Sequence, residues 1–374
     1  MNKTKICIFA ELWESGGIES LLTSVLLKAD VSEFEIDVVA AKIGESIFKA
    51  PLEAIGVTFR ELSGKVRSAK NRELFKELVA EREYDVIHFN LFQGFSLGYI
   101  HAAKKCGVPV RIAHAHGGGL RKTATRPLKL LLHRIGRALW LKDATSLLAC
   151  SDEASDFLFA RRADEIVKNG IDTEKFIFSE NKRRSVRERL GLSSEPCVGH
   201  VGRLSSEKNQ TFLLNVHKSL TKLVPDAKLL LVGDGPMREE LVKAANELGL
   251  GDSVIFYGTS SEVEGLMCAM DAFAFPSIKE GLGIVAIEAQ CSGLPVICSD
   301  GVPAAASVTP LVQTIPLALG EEAWASALAS VLRDGRERRS QGEIIREAGF
   351  DSESTSRQIF KYYKTDKTHE VTYA

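Results

Sequence analysis

Short apolar runs alternate with helical patterns along the chain, in two successive series, and this limits the fold to parallel sheets covered by helices. Runs of this kind with no polar face suit strands buried on both sides. In the first series they fall near 6–9, 36–40, 57–62, 86–89, 110–114 and 146–150, with helices between them at 68–83 and 94–105, for example. A second series begins at 197–201 and continues through 228–232, 254–257, 272–275 and 296–298. Its helices are expected at 209–223, 236–248, 284–291 and 321–333. The 374 residues exceed the ~250–300 at which single cores stop growing, so each series forms its own domain. The stretch 169–195 is charged, turn-rich and without a convincing long element, and the boundary belongs there. The expected division is 1–178, 179–349 and a terminal segment 350–374, whose Ile359, Phe360, Tyr362 and Tyr363 suit a last helix crossing back to the first domain.

Charge and cysteine usage narrow the partners. A net charge of −1 argues against nucleic acid, but no Asp or Glu occurs between Val86 and Lys142. Lys and Arg crowd the end of that stretch, as expected of a surface that meets a membrane, a lipid diphosphate or an anionic substrate. Seven cysteines lie mostly in apolar segments without paired metal spacing, and read as core residues in a reducing compartment. No apolar run approaches the ~20 residues that span a bilayer, and the N-terminal segment turns acidic too soon for a leader peptide. The expected location is cytoplasmic.

The densest chemistry lies in Pro276–Ala289, where Glu280 and Glu288 flank Gly281-Leu282-Gly283 between an apolar strand and a helix. A helix start aims unpaired N–H groups past the strand end and favours an anion. Carboxylates beside an anion make sense if they grip something attached to it. A sugar nucleotide has that form: diphosphate on the amides, sugar hydroxyls on one carboxylate and ribose hydroxyls on the other. Arg203 and Lys208 follow the first strand of the same series and can neutralise a diphosphate. Gly16 and Gly17 open the first helix without dinucleotide-fingerprint spacing, as a phosphate-facing turn or a plain tight turn. Gly233-Asp234-Gly235 is similar: a loop that lines a ligand site or a turn before a helix. His116, before three glycines, or His114 on the same side of the strand, can serve a reacting sugar. No His, Cys or carboxylate cluster has metal-ligand spacing, and no Ser-His-Asp set of the nucleophile-elbow type is present. Residues 126–142 carry Leu128, Leu131, Leu132, Ile135 and Leu139 on one helical face. The ordinary expectation is a face packed on the core with basic residues in solvent. The alternative is contact with an anionic membrane.

Taken in order, GGIE, RIAHAHG, ACSDEASDFLF, VKNGIDTEKF, VGRLSSEKN, LLLVGDGPMREEL, VIFYG and PSIKEGLGIVAIEAQCSGLPVICSD resemble retaining glycosyltransferases of family 4. The resemblance covers nearly the whole chain. It implies a GT-B fold, two Rossmann-like doubly wound domains facing across a cleft. By the same resemblance Arg203 and Lys208 hold the donor diphosphate and Glu280 contacts the donor sugar. Gly281, Leu282 and Gly283 present amides, Glu288 binds ribose, His116 lies near the sugar, and Gly16 and Gly17 border phosphates and acceptor. The chemistry implied is metal-independent, needs no cofactor beyond the nucleotide-sugar co-substrate, and retains configuration by front-face attack. The similarity to exopolysaccharide and capsule members implies a UDP-sugar donor and a lipid-linked oligosaccharide acceptor at the inner membrane face. The triple glycine after His116 and the segment DGVPAAASV depart from the family pattern. A nucleotide-sugar 2-epimerase of the same fold, or a non-catalytic assembly subunit, are the competing expectations.

Overall fold

The computed structural model describes residues 3–14, 16–63, 68–119, 126–335 and 337–364. The chain forms two compact units, one of residues 1–170 with 350–374, the other Ile171–Gly349. The first holds strands β1 (Thr4–Trp13), β2 (Phe34–Ile43), β3 (Thr58–Glu61), β4 (Val86–Leu91), β5 (Val110–Ala115), β6 (Ser146–Ala149) and β7 (Glu165–Ile166). They pair in the order β3-β2-β1-β4-β5-β6-β7, all parallel. The second holds β8 (Cys197–Val201), β9 (Lys228–Val232), β10 (Val254–Gly258), β11 (Ala272–Phe275), β12 (Val296–Cys298) and β13 (Val312–Thr314). Their order is β10-β9-β8-β11-β12-β13, again parallel. In each sheet the order reverses once, between β1 and β4 and between β8 and β11. Ligands of such sheets bind beyond the strand ends at these points.

Alternation along β1 places a core on each face. Cys7 and Phe9 join Phe75, Phe89 and Tyr99 on one side, while Ile6 and Ile8 join Leu22, Val25 and Tyr363 on the other. The terminal helix Ser352–Phe360 lies against Gly17–Leu27: Ser356 Oγ donates to the Val25 carbonyl at 2.9 Å, and the Phe34 and Phe360 rings are 5.3 Å apart. The units divide at Gly170 and not at 178, because residues 173–175 are tied to the second unit. Arg346 donates to Thr173 Oγ1 at 3.1 Å and to Glu174 at 2.7 Å, and Lys175 lies 3.3 Å from Glu264. A Cβ on Gly170 would meet the Asp351 backbone at 2.5 Å, so the two passes of chain cross where only glycine fits.

Two expectations are corrected. The stretch 169–195 does contain a helix, Glu180–Arg189, which has almost no apolar stripe. It is held by guanidinium groups: Arg183 reaches Asp271 at 2.6 Å, and buried Arg187 donates to the Ala269 and Glu195 carbonyls at 2.8 and 2.6 Å. The helix Arg126–Trp140 does not pack its leucine face inward. That face is exposed, while His133 and Gly136 are buried. Among the described residues no helix is long and apolar enough to cross a membrane.

Candidate functional site

The second unit concentrates charge where β8 and β11 part. After β8 the chain runs through Gly202 to Asn209, which adopts a left-handed conformation (φ 58°) to start the helix Gln210–Leu223. Buried Gln210 organises this loop: its Nε2 donates to the Arg203 carbonyl at 3.0 Å and to His200 Nε2 at 3.1 Å, and its Oε1 accepts from Ser205 N–H at 3.3 Å. His200 Nδ1 donates in turn to the Ala274 carbonyl at 2.9 Å, and burial pushes the imidazole down to about 4. A neutral ring that accepts at one nitrogen and donates at the other therefore ties β8, β11 and the loop together. Glycines let a third loop close in, since a Cβ on Gly233 would lie 2.1 Å from the Gly202 carbonyl oxygen and one on Gly235 2.4 Å from that of Leu204.

The loop after β11 is fastened similarly. Ile278 N–H donates to the Glu207 carbonyl at 2.8 Å, Glu280 N–H to Gly301 at 3.0 Å, and Ser299 Oγ to Ser277 at 2.5 Å. A Cβ on Gly301 would lie 2.3 Å from the Ile278 oxygen. The unusual Asp300-Gly301-Val302 turn is thus the floor of the Glu280 loop. The two loops bring Lys208 and Glu280 together: Nζ is 2.5 Å from Oε1 and 4.8 Å from the Phe275 ring centroid. Arg203 stands exposed on the same loop. Gly281, Leu282 and Gly283 lead into the helix Ile284–Cys291, with Gly283 at φ 84° as its N-cap. Glu288 lies farther along this helix. Burial raises its carboxyl to about 7, with Lys175 lowering it and Glu264 raising it further. An anion arriving here meets Arg203, a Lys208 charge shared with Glu280, and a helix start.

In the first unit, His116 follows β5 and its Nε2 lies 2.8 Å from Asn90 Oδ1 at the end of β4. Asn90 Nδ2 donates to the Phe9 carbonyl at 3.3 Å, which turns Oδ1 toward the ring and places the His116 proton on Nε2. Burial pushes His116 down to about 3, and its Nδ1 is buried without a partner. His116 is therefore neutral and offers a lone pair. His114 sits deeper, its Nδ1 3.0 Å from His88 Nε2, while His88 Nδ1 meets Tyr363 Oη at 2.6 Å. Gly117 and Gly118 allow close passage, since Cβ atoms there would come within 3.2 Å of Phe92 and 3.3 Å of Glu153. At Gly16 and Gly17 the helix start is occupied by the chain itself: buried Glu19 accepts from the Glu14 N–H at 3.2 Å, and its carboxylate would crowd a Cβ on Gly16 at 2.6 Å. Burial raises the Glu19 carboxyl.

Sequence reasoning did not single out Asn90, Glu19, His200 or Gln210. The available signal was polarity out of place, as in His88 and Asn90 within an otherwise apolar strand.

Residues 15–175 match the model of Glycosyltransferase Family 4, and residues 182–348 that of Glycosyl transferases group 1. EpsF of Bacillus subtilis (strain 168) is 30% identical over 373 residues, covering 95% of each chain. The chain belongs to the family 4 glycosyltransferases. Its relatives include the UDP-Gal:alpha-D-GlcNAc-diphosphoundecaprenol alpha-1,3-galactosyltransferase of Escherichia coli, 27% identical over 63% of this chain and 62% of that one. The GDP-mannose-dependent alpha-(1-6)-phosphatidylinositol monomannoside mannosyltransferase of Mycolicibacterium smegmatis is 31% identical over 61% and 62%. The fold is that of Anabaena Alr3699/HepE, solved with UDP and glucose (TM-score 0.75, 22% identity, 96% and 98% covered). This family 4 glycosyltransferase thus has the GT-B architecture, two Rossmann-like parallel-sheet units.

Proposed function

We propose that this glycosyltransferase moves a sugar, with retention of configuration and without a metal, from a UDP-sugar to a hydroxyl of a lipid-linked glycan in exopolysaccharide or capsule assembly. The observation that carries the reading is the Lys208–Glu280 pair where β8 and β11 part, beside the helix start at Gly283, with Arg203 exposed on the loop that carries Lys208. Arg203 and Lys208 take the donor diphosphate and stabilise the charge it gains on leaving. Glu280 and the amides of Gly281, Leu282 and Gly283 hold sugar and phosphate, and Glu288 accepts from ribose hydroxyls. Neutral His116 accepts from a substrate hydroxyl. Gly16 and Gly17 border the acceptor, with Glu19 covering the Gly16 amide. The acceptor oxygen bonds to the anomeric carbon as the bond to diphosphate breaks. The acceptor proton passes to the departing phosphate oxygen, so the protein needs no nucleophile of its own. The E. coli relative, named for a UDP-sugar donor and a diphosphoundecaprenol-linked acceptor, supports the choice of both.

The test is incubation of sugar-labelled UDP-sugars with a diphosphate-lipid-linked saccharide, followed by organic extraction and NMR of the new linkage. Label in the lipid product with the donor's anomeric configuration is expected. Epimerised UDP-sugar formed without acceptor would mark an isomerase, and unchanged donor under all conditions would overturn the reading.

A further inference from the structure

Alternation along β4 and β5 sets His88, Asn90, His114 and His116 on the sheet face that carries Ile112 and packs against Tyr363. All four are buried, as is Tyr363. Polar groups in such a place cost free energy unless their hydrogen bonds are made. Here they form a ladder that climbs from the end of the chain to the strand ends. Tyr363 Oη lies 2.6 Å from His88 Nδ1, and His88 Nε2 lies 3.0 Å from His114 Nδ1. The His114 and His116 ring centroids are 4.1 Å apart, and His116 Nε2 lies 2.8 Å from Asn90 Oδ1.

Proton positions along the ladder follow from satisfaction. Burial keeps every member neutral: His88 and His116 are pushed down to about 3, His114 lies well below its usual range, and the Tyr363 phenol is raised. Among the described residues, His88 Nδ1 is the one hydrogen-bond partner of Tyr363 Oη. A neutral phenol that accepted from His88 would bury its own O–H unpaired. Tyr363 therefore donates, the His88 proton lies on Nε2, and His88 donates to His114 Nδ1. His114 keeps its proton on Nε2, which is buried without a partner, while the neighbouring His116 buries a bare Nδ1. We propose that Tyr363 is a positioning residue for His116: by fixing the His88 and His114 tautomers it sets an N–H, and not a second lone pair, beside the His116 acceptor. Without the hydroxyl both imidazoles are free to reverse. His114 then donates from Nδ1, and two lone pairs meet in a low-dielectric interior, a repulsion relieved by moving His116 off Asn90. The effect on turnover rests on the reading above, in which His116 accepts from a substrate hydroxyl.

Long-range proton–nitrogen correlation NMR of the labelled histidine rings, in the full chain without ligands, tests the ladder. In wild type His88 and His114 both carry the proton on Nε2, and a proton on Nδ1 of either would overturn the assignment. Y363F keeps the ring against Phe360, 4.9 Å between centroids, and turns each histidine into a mixture of tautomers. Unchanged tautomers in Y363F would overturn the assignment as well. Sugar transfer gives a second readout. Y363F and H116Q each lower kcat by about tenfold, and the double variant is no slower than H116Q, because Tyr363 acts through His116. Additive losses would reduce Tyr363 to packing. The spectra contain neither donor nor acceptor, so an absence of transfer in wild type falls on the proposed function alone.

Discussion

Glu288 carries its proton close to neutrality because burial withdraws its carboxyl from water, and Lys175 offsets this only in part. In the proposed role Glu288 accepts from ribose hydroxyls in its ionised form, so donor binding should release a proton and strengthen as pH rises through about 7. Calorimetric affinity for a UDP-sugar should fall about tenfold from pH 8 to pH 6, and Glu288→Gln should flatten that slope. Protein stability runs the other way. A raised acid contributes fully below its unfolded value, and that contribution is lost as pH rises from about 4.5 through about 7. In the proposed mechanism Arg203 acts later, on charge that develops in the transition state. Arg203→Ala should lower kcat by ~10²–10³ in steady-state assays with little change in melting temperature. Arg203 was legible as a candidate from sequence because a cation just past an apolar strand has few other tasks there. Gln210 and His200 were not, since an amide and an imidazole in apolar surroundings declare their roles only once their partners are fixed in space.

Elements show a sharper division between what pattern reveals and what it hides. Buried parallel strands announce themselves as apolar runs, and β1, β4, β8 and β11 fall where those runs do. Strands β7 and β13 carry too few apolar residues to leave such a trace, whereas β12, as short as β13, is wholly apolar. Glu180–Arg189 escaped because its inward side is arginine, whose buried stems and donors replace an apolar stripe. The leucine stripe of Arg126–Trp140 was visible, but periodicity cannot say which side faces the core. His133 and Gly136 decide that. Loops carry the finest dependence on geometry. Gly301→Ala would press a methyl against the Ile278 and Ser277 carbonyls, at 2.3 and 2.5 Å, and displace the loop that aims Glu280. Overpacking of this kind costs ~1–3 kcal/mol, and UDP-sugar affinity should drop by about tenfold or more in the same titration, even where circular dichroism shows a folded protein.

At the scale of the molecule, the chain leaves its first unit at Gly170 and returns at Phe350, so the first core is completed by the last described residues. Ile359, Phe360 and Tyr363 are buried there, and Tyr363 touches His88. Each buried side chain contributes at most ~1.5–3 kcal/mol, so truncation after Gly349 should open the first unit. Limited proteolysis should then cut within 1–170 while 171–349 stays protected. Equal protection of both units would contradict the packing described. The proposed donor site lies in the second unit, where Arg203, Lys208, Glu280 and Glu288 would bind a nucleoside diphosphate sugar. A thermal-shift titration with UDP, GDP and ADP, wild type beside Glu288→Ala, tests it most directly. A ligand at ~100 times its dissociation constant stabilises by ~2.7 kcal/mol, well within detection. A shift with UDP that weakens in Glu288→Ala is expected. No shift with any nucleotide, or an equal shift in the variant, would contradict it.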